Sequence, residues 1–245
     1  MNYKLFNKNI ETEVFEVKNK IKNEFKISPS NNILLILDQL DKLREDEGVY
    51  VELGTFRGST LLSCAEFTKK NNIQTTLYGI DTFEGFPETN EFNKFDLPNH
   101  YKTLFKNNLI SKAHFENAKI RTENFTNIDH LKPKYFQEIN NIKKNVLKYD
   151  NIKLIESEIK NSSIHIVDPI KILFFDCDLY DSYMEGLKLF YDKVITNGAI
   201  IFDEYYSFKY PGALQAVIDF FDGVKINLYK YITSEGFERY IIIKK

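Results

Sequence analysis

Two stretches of the sequence are apolar until their last residues and then turn acidic: ILFFDCD (172–178) and AIIFDE (199–204). Both read as buried strands of a parallel sheet, and open sheets of that kind bind ligands outside the carboxyl ends of their strands. Residues two apart on an extended chain point the same way, which predicts Asp176 and Asp178 on one side. A crossover between neighbouring strands brings both tips together, so four carboxylates meet in one small region. Their repulsion is costly unless a cation offsets it. An all-oxygen ligand set selects a hard divalent ion, with Mg2+ the first candidate. Asp176, Asp203 and Glu204 are assigned as ligands. Asp178, beside them but outside the shell, is assigned as general base, positioned to take a proton from a metal-acidified hydroxyl whose pKa is otherwise about 16. The same acids could instead be strand ends facing helix N-termini, with no ion at all.

The segment VYVELGTFRGST (49–60) is an apolar strand running through two glycines into a helix, the layout of a nucleotide-type site. It is not a dinucleotide fingerprint, because Phe56 stands where the central glycine would let backbone approach a pyrophosphate. S-adenosylmethionine carries no phosphate and does not need that glycine. Glu52 and Gly54, with Thr55, Gly58, Ser59 and Thr60 of the same turn, suit its methionine part. Asp81, at the end of the next strand YGID (78–81), and its neighbour Thr82 suit the ribose hydroxyls. Ser157, in ESE (156–158), would border the adenine, though a solvated acidic loop explains that tripeptide equally well.

Elements must position these residues. Strands are expected at 49–53, 76–80, 152–156, 170–176 and 198–203, with helices at 58–70, 134–149, 181–196 and 211–222. That alternation builds a mostly parallel sheet with helices on both faces. At the C-terminus, INLYKYI (226–232) and FERYIIIK (237–244) stand so close that only an antiparallel hairpin can join them. The expected fold class is therefore α/β: a Rossmann-like, seven-stranded class I methyltransferase sheet. Ile33, Ile36, Leu37, Leu40 and Leu43 recur at helical spacing after a possible N-cap at Ser30, giving a helix over 31–45, whereas residues 1–29 are weakly patterned. A single domain is expected over 1–245, with 1–47 as an N-terminal helical extension. The polar stretch 88–133, far longer than ordinary connections, reads as a substrate-covering cap or an irregular insertion.

Composition excludes several classes. With 33 basic and 35 acidic side chains the net charge is -2, so no positive excess is available for nucleic acid. The longest apolar runs, 33–37 and 199–202, are far short of the roughly 18 residues of a membrane span, and no signal peptide is visible. A cytoplasmic protein acting on a small molecule is expected. Cys64 and Cys177 read as small buried hydrophobes, not as a disulfide. His100, His114 and His130 could enter the site from the cap, but a histidine in a polar loop is commonly solvated.

Taken together, VELGTFRGST (51–60), YGIDTFEGFP (78–87), FFDCDLYDSY (174–183), IIFDEYY (200–206) and PGALQAVIDFF (211–221) resemble the macrocin O-methyltransferase group, metal-dependent enzymes known for methylating sugar hydroxyls on antibiotics. The resemblance implies that Asp176 is the first metal ligand, Asp178 the base, Asp203 and Glu204 the paired ligands, and Glu52 and Asp81 cofactor contacts. It also implies a homodimer and a sugar-containing acceptor; a phosphoryl, phosphoramidate or amine acceptor stays open. The chain departs from the group in having Glu204 where an aspartate is usual and Ser157 where a glycine is. The residues leave two other classes standing: a nucleotide-sugar glycosyltransferase using Asp176-x-Asp178, and a non-catalytic binding module on the same fold.

Overall fold

The computed structural model describes residues 1–30, 32–86, 91–123, 136–233 and 238–245. Seven strands form one sheet: β1 (Val49–Leu53), β2 (Leu77–Asp81), β3 (Ile152–Glu156), β4 (Ile170–Phe175), β5 (Val194–Phe202), β6 (Leu228–Ile232) and β7 (Glu238–Ile243). Their order is β3-β2-β1-β4-β5-β7-β6, parallel except for β7, which is antiparallel to both β5 and β6. Strand order reverses between β1 and β4, so the carboxyl ends of these two strands open a crevice at the switch point. Here the acidic motifs and the glycine turn come together.

Alternation along the strands divides the core into two layers. Tyr50, Ile172, Phe174, Ala199 and Ile201 face a layer built by α1 (Ile10–Phe25), α2 (Ile33–Lys42) and α3 (Ser59–Lys70). Val51, Leu53, Leu173, Phe175, Ile200 and Phe202 face α8 (Tyr180–Phe190) and α9 (Gly212–Phe220). Strands covered on both faces read as continuous apolar runs, and β1 and β4 are buried at every position.

The segment 1–29, weakly patterned in the sequence, is helical over part of its length, and three expectations require correction. Residues 10–25 form a helix, with Ile10, Val14, Val17, Ile21 and Phe25 buried at helical spacing; flanking lysines and glutamates dilute that stripe in the sequence. The preceding segment is pinned by buried Asp38, whose carboxylate accepts from the Phe6 and Asn7 amides and the Tyr3 hydroxyl. Ser30 is not the N-cap of α2: Asn32 occupies that position, and Ser30 Oγ accepts from its amide. The expected helix over 181–196 stops at Phe190 and passes through a 3-10 turn, and β5 begins at Val194, four residues early, because β-branched Val194 and Ile195 favour the pleat. Finally, β4 ends at Phe175 and Asp178 has φ 60°, so the extended-chain argument does not apply between Asp176 and Asp178.

The stretch after β2 contains α4 (His100–Lys106) and α5 (Lys112–Arg121). Tyr101, Leu104, Ile110 and Ala118 form a small core with Leu214 of α9, so this part of the insertion is packed and not irregular. It is followed, before β3, by α6 (Phe136–Val146), and β3 leads into the single turn α7 (Ile159–Ser162). His130 and most of the hairpin turn, 234–237, lie outside the described residues. None of the described helices is long and apolar enough to cross a membrane.

Candidate active site

The β1 turn is built around Gly54 and Gly58, both in the left-handed region at φ 89° and 71°. A Cβ on Gly54 would lie 2.0 Å from the Asp176 carbonyl oxygen, so glycine is what allows the turn to pack against the β4 tip. Gly58 caps α3, whose first residues are Ser59 and Thr60. Asp81 closes the turn from β2: one carboxylate oxygen accepts from the Thr55 and Phe56 amides at 2.9 and 2.8 Å, the other from Phe83 at 2.7 Å. Three of its roughly four acceptor positions are thus spent on backbone, which makes Asp81 an organiser of the turn. Thr82 Oγ1 accepts from the Glu84 amide. The Ser157 amide donates to the Asp81 carbonyl, setting the β3 tip beside β2, while its hydroxyl donates to Glu158.

Glu52 sits beneath this turn on β1, buried, accepting from Tyr50 Oη at 2.8 Å. Loss of hydration, with a contribution from the Asp81 charge, raises its pKa to about 8 although the Tyr50 hydrogen bond pulls the other way. Thr55 Oγ1 is likewise buried and has no hydrogen-bond partner among the described residues.

The acidic tips meet as the sequence suggests. Asp176, Asp203 and Glu204 each offer a carboxylate oxygen within 4.8 Å of the others. Ligand oxygens of an octahedral ion at about 2.1 Å are roughly 3 to 4 Å apart, so a small contraction suffices and the donor set fits Mg2+ or a similar hard ion. Burial raises Asp176 well above the usual carboxylate range, and the charges of Asp203, Asp178 and Glu52 add to it. Glu204 is raised by burial and then by Asp178, Asp203 and Asp176. Asp178 is raised to about 7 by burial and Asp203, against the attraction of Lys209. Side chains whose ionisation is this unfavourable cluster at functional sites.

Several partners of these acids carry no signal in the sequence. Tyr183 of α8 donates to Glu204 Oε2 at 2.8 Å. Asn32 Nδ2 and Arg239 Nε converge on the same oxygen of Asp203, Oδ1, at 2.6 and 3.0 Å. Asp96, buried in the insertion, accepts from the Tyr180 amide at the start of α8 and abuts Gly212 at the start of α9. Only long-range pairing puts them here: 171 residues separate Asn32 from Asp203. His100 and His114 are committed elsewhere, Nε2 of the first pairing with Gln215 and of the second with the Ser207 carbonyl. A cavity of about 470 Å³ between α1, Ser28–Pro29, Leu34 and Thr233 contains none of these acids.

The model of the macrocin O-methyltransferase (TylF) family matches residues 37–229. The chain belongs to that family. It is a methyltransferase, with S-adenosylmethionine as the methyl donor. Among solved structures, the O-methyltransferase NovP superposes with a TM-score of 0.63 at 16% identity, covering 96% of this chain and 98% of its own. Calicheamicin methyltransferase CalS11 gives 0.56 at 16%, over 99% and 97%. A second, apo structure of CalS11, described as a TDP-rhamnose 3′-O-methyltransferase of calicheamicin biosynthesis, gives 0.50 at 18%, over 96% and 95%. At these identities the likeness establishes the fold. No curated protein sequence matches significantly. Family membership removes the glycosyltransferase reading.

Proposed function

We propose that the enzyme is a Mg2+-dependent O-methyltransferase acting on a hydroxyl of a sugar-containing small molecule, with Asp176, Asp203 and Glu204 as metal ligands and Asp178 as base. The observation that carries the metal is the three-carboxylate cluster at the switch point, two of whose members, Asp176 and Glu204, are pushed toward protonation by burial and by the neighbouring carboxylates. When bound, the ion would acidify the acceptor hydroxyl and hold it in line with the departing sulfur. Glu52 and the Gly54–Thr60 turn bind the methionine part of the donor, Asp81 and Thr82 the ribose, and Ser157 the adenine edge. Asp178, made weakly acidic by its surroundings, takes the hydroxyl proton. A sugar acceptor, and a nucleotide-linked sugar in particular, is supported by the family and by the acceptor named for CalS11.

Calorimetric titration with S-adenosylmethionine, followed by methyl transfer to nucleotide sugars with and without EDTA, tests this. Transfer that survives chelation would remove the metal. Transfer confined to amines or phosphoryl oxygens would overturn the hydroxyl acceptor.

A further inference from the structure

Asp203 differs from its two companions in what holds it. Tyr183 donates to Glu204 as a neutral partner, whereas Asp203 receives a full positive charge from Arg239 at 3.0 Å, with Asn32 donating to the same oxygen. Arg239 reaches the site because β7 runs antiparallel beside β5: Phe202 pairs with Tyr240, so the residue before Tyr240 lies level with the residue after Phe202. Both partners of the ion pair are largely shielded, with side-chain exposures of 15% and 17%. A guanidinium has no other protonation state to adopt at working pH, so its charge is a fixed part of the cluster.

We infer that Arg239 is the built-in counter-ion of the acid cluster and sets how tightly the cluster holds a divalent metal. The inference rests on the metal-dependent reading above. A fixed cation beside Asp203 offsets the repulsion of three converging carboxylates when no ion is bound, and the same charge repels an incoming divalent ion. Arg239 therefore favours a folded metal-free state at the expense of metal affinity. It is a positioning residue, since it acts through Asp203, whose Oδ1 its guanidinium approaches to 3.0 Å.

Two consequences separate this role from ordinary packing. Arg239→Gln should bind Mg2+ or Mn2+ about tenfold more tightly by calorimetry, because one repelling charge is gone. Its thermal midpoint should drop in EDTA and recover most of that loss in saturating metal, because binding to the native state stabilises in proportion to affinity. Arg239→Lys, which keeps the charge, should stay within about twofold of the parent. Asn32→Ala, which removes a neutral donor from the same oxygen, should not tighten binding. Equal metal affinity in parent and Arg239→Gln, or the same thermal loss with and without metal, would overturn the counter-ion role alone. If neither protein binds a divalent ion, the metal reading falls and this inference with it.

Discussion

Tyr183 and Glu204 are joined twice: the Tyr183 hydroxyl donates to the Glu204 carboxylate at 2.8 Å and accepts from the Glu204 backbone amide at 3.1 Å. The pair is buried, and it fixes both the backbone and the side chain of one member of the acid cluster. A ligand carboxylate oriented by a second hydrogen bond is a common way for proteins to stiffen a metal site. Tyr183→Phe removes only the oxygen. It should destabilise the fold by about 1–3 kcal/mol, the range for leaving a buried polar group unsatisfied, and weaken divalent-metal binding about tenfold. Denaturation and metal titration check the two effects; a stability loss with unchanged metal affinity would show that Glu204 is held well enough by other contacts.

The cluster's acidity gives a pH signature. Glu52, at about 8, and Asp178, at about 7, have folded-state pKa values above those of an unfolded chain, and Asp176 and Glu204 are raised too. Groups raised in this way contribute stability that is fully present below the unfolded carboxylate pKa of about 4 and is lost as pH rises through the folded values. Metal binding must expel the protons of its raised ligands, Asp176 and Glu204. The thermal gain from saturating Mg2+ should therefore be larger at about pH 8.5 than at about pH 5.5, and calorimetry in buffers of different ionisation enthalpy should record proton release at the lower pH. A pH-independent gain would contradict the raised pKa values.

The parts of the molecule readable in the sequence are those written in local pattern. Strand tips ending in acids, a glycine turn after Glu52 and the closing hairpin all follow from runs of a few residues. What could not be read depends on neighbours far away in the chain. Helix α1 is buried on a stripe that polar residues dilute; it packs against α2 and α3, and Asp38 holds the segment that precedes it. Asn32, Tyr183 and Arg239 reach the cluster through helix packing and the β5–β7 register. Asp178 shows how a correct neighbourhood can come from a wrong reason. It senses Asp203, as expected, but by way of a left-handed turn and not by alternation along a strand.

Gly54 offers a sharp test of the turn. Alanine there would place its Cβ 2.0 Å from the Asp176 carbonyl oxygen and would have to hold φ 89°. Either requirement alone is unfavourable for an L side chain. Gly54→Ala should cost about 3 kcal/mol or more if the chain folds at all, and should weaken S-adenosylmethionine and metal together, because the turn it distorts is the proposed donor site and the residue it displaces, Asp176, is a proposed metal ligand. Urea denaturation and paired ligand titrations measure this; loss of donor binding with metal binding intact would mean that the turn moves without carrying Asp176.

The proposed base allows a substitution that isolates charge. Asp178 occupies φ 60°, a conformation asparagine tolerates as well as aspartate, so Asp178→Asn keeps shape and backbone while removing one carboxylate. Its charge contributes to raising Asp176 and Glu204, and the variant should therefore be at least as stable as the parent without metal. S-adenosylmethionine affinity should hold, since Glu52, Asp81 and the glycine turn are untouched. Turnover should fall by about 10²–10⁴, the usual contribution of a positioned general base. If Asp178 takes the hydroxyl proton, the fall should be smaller at alkaline pH, where more of the acceptor is already ionised. A loss that is the same at every pH, or one matched by weaker metal binding, would make Asp178 part of the metal's surroundings and not the base.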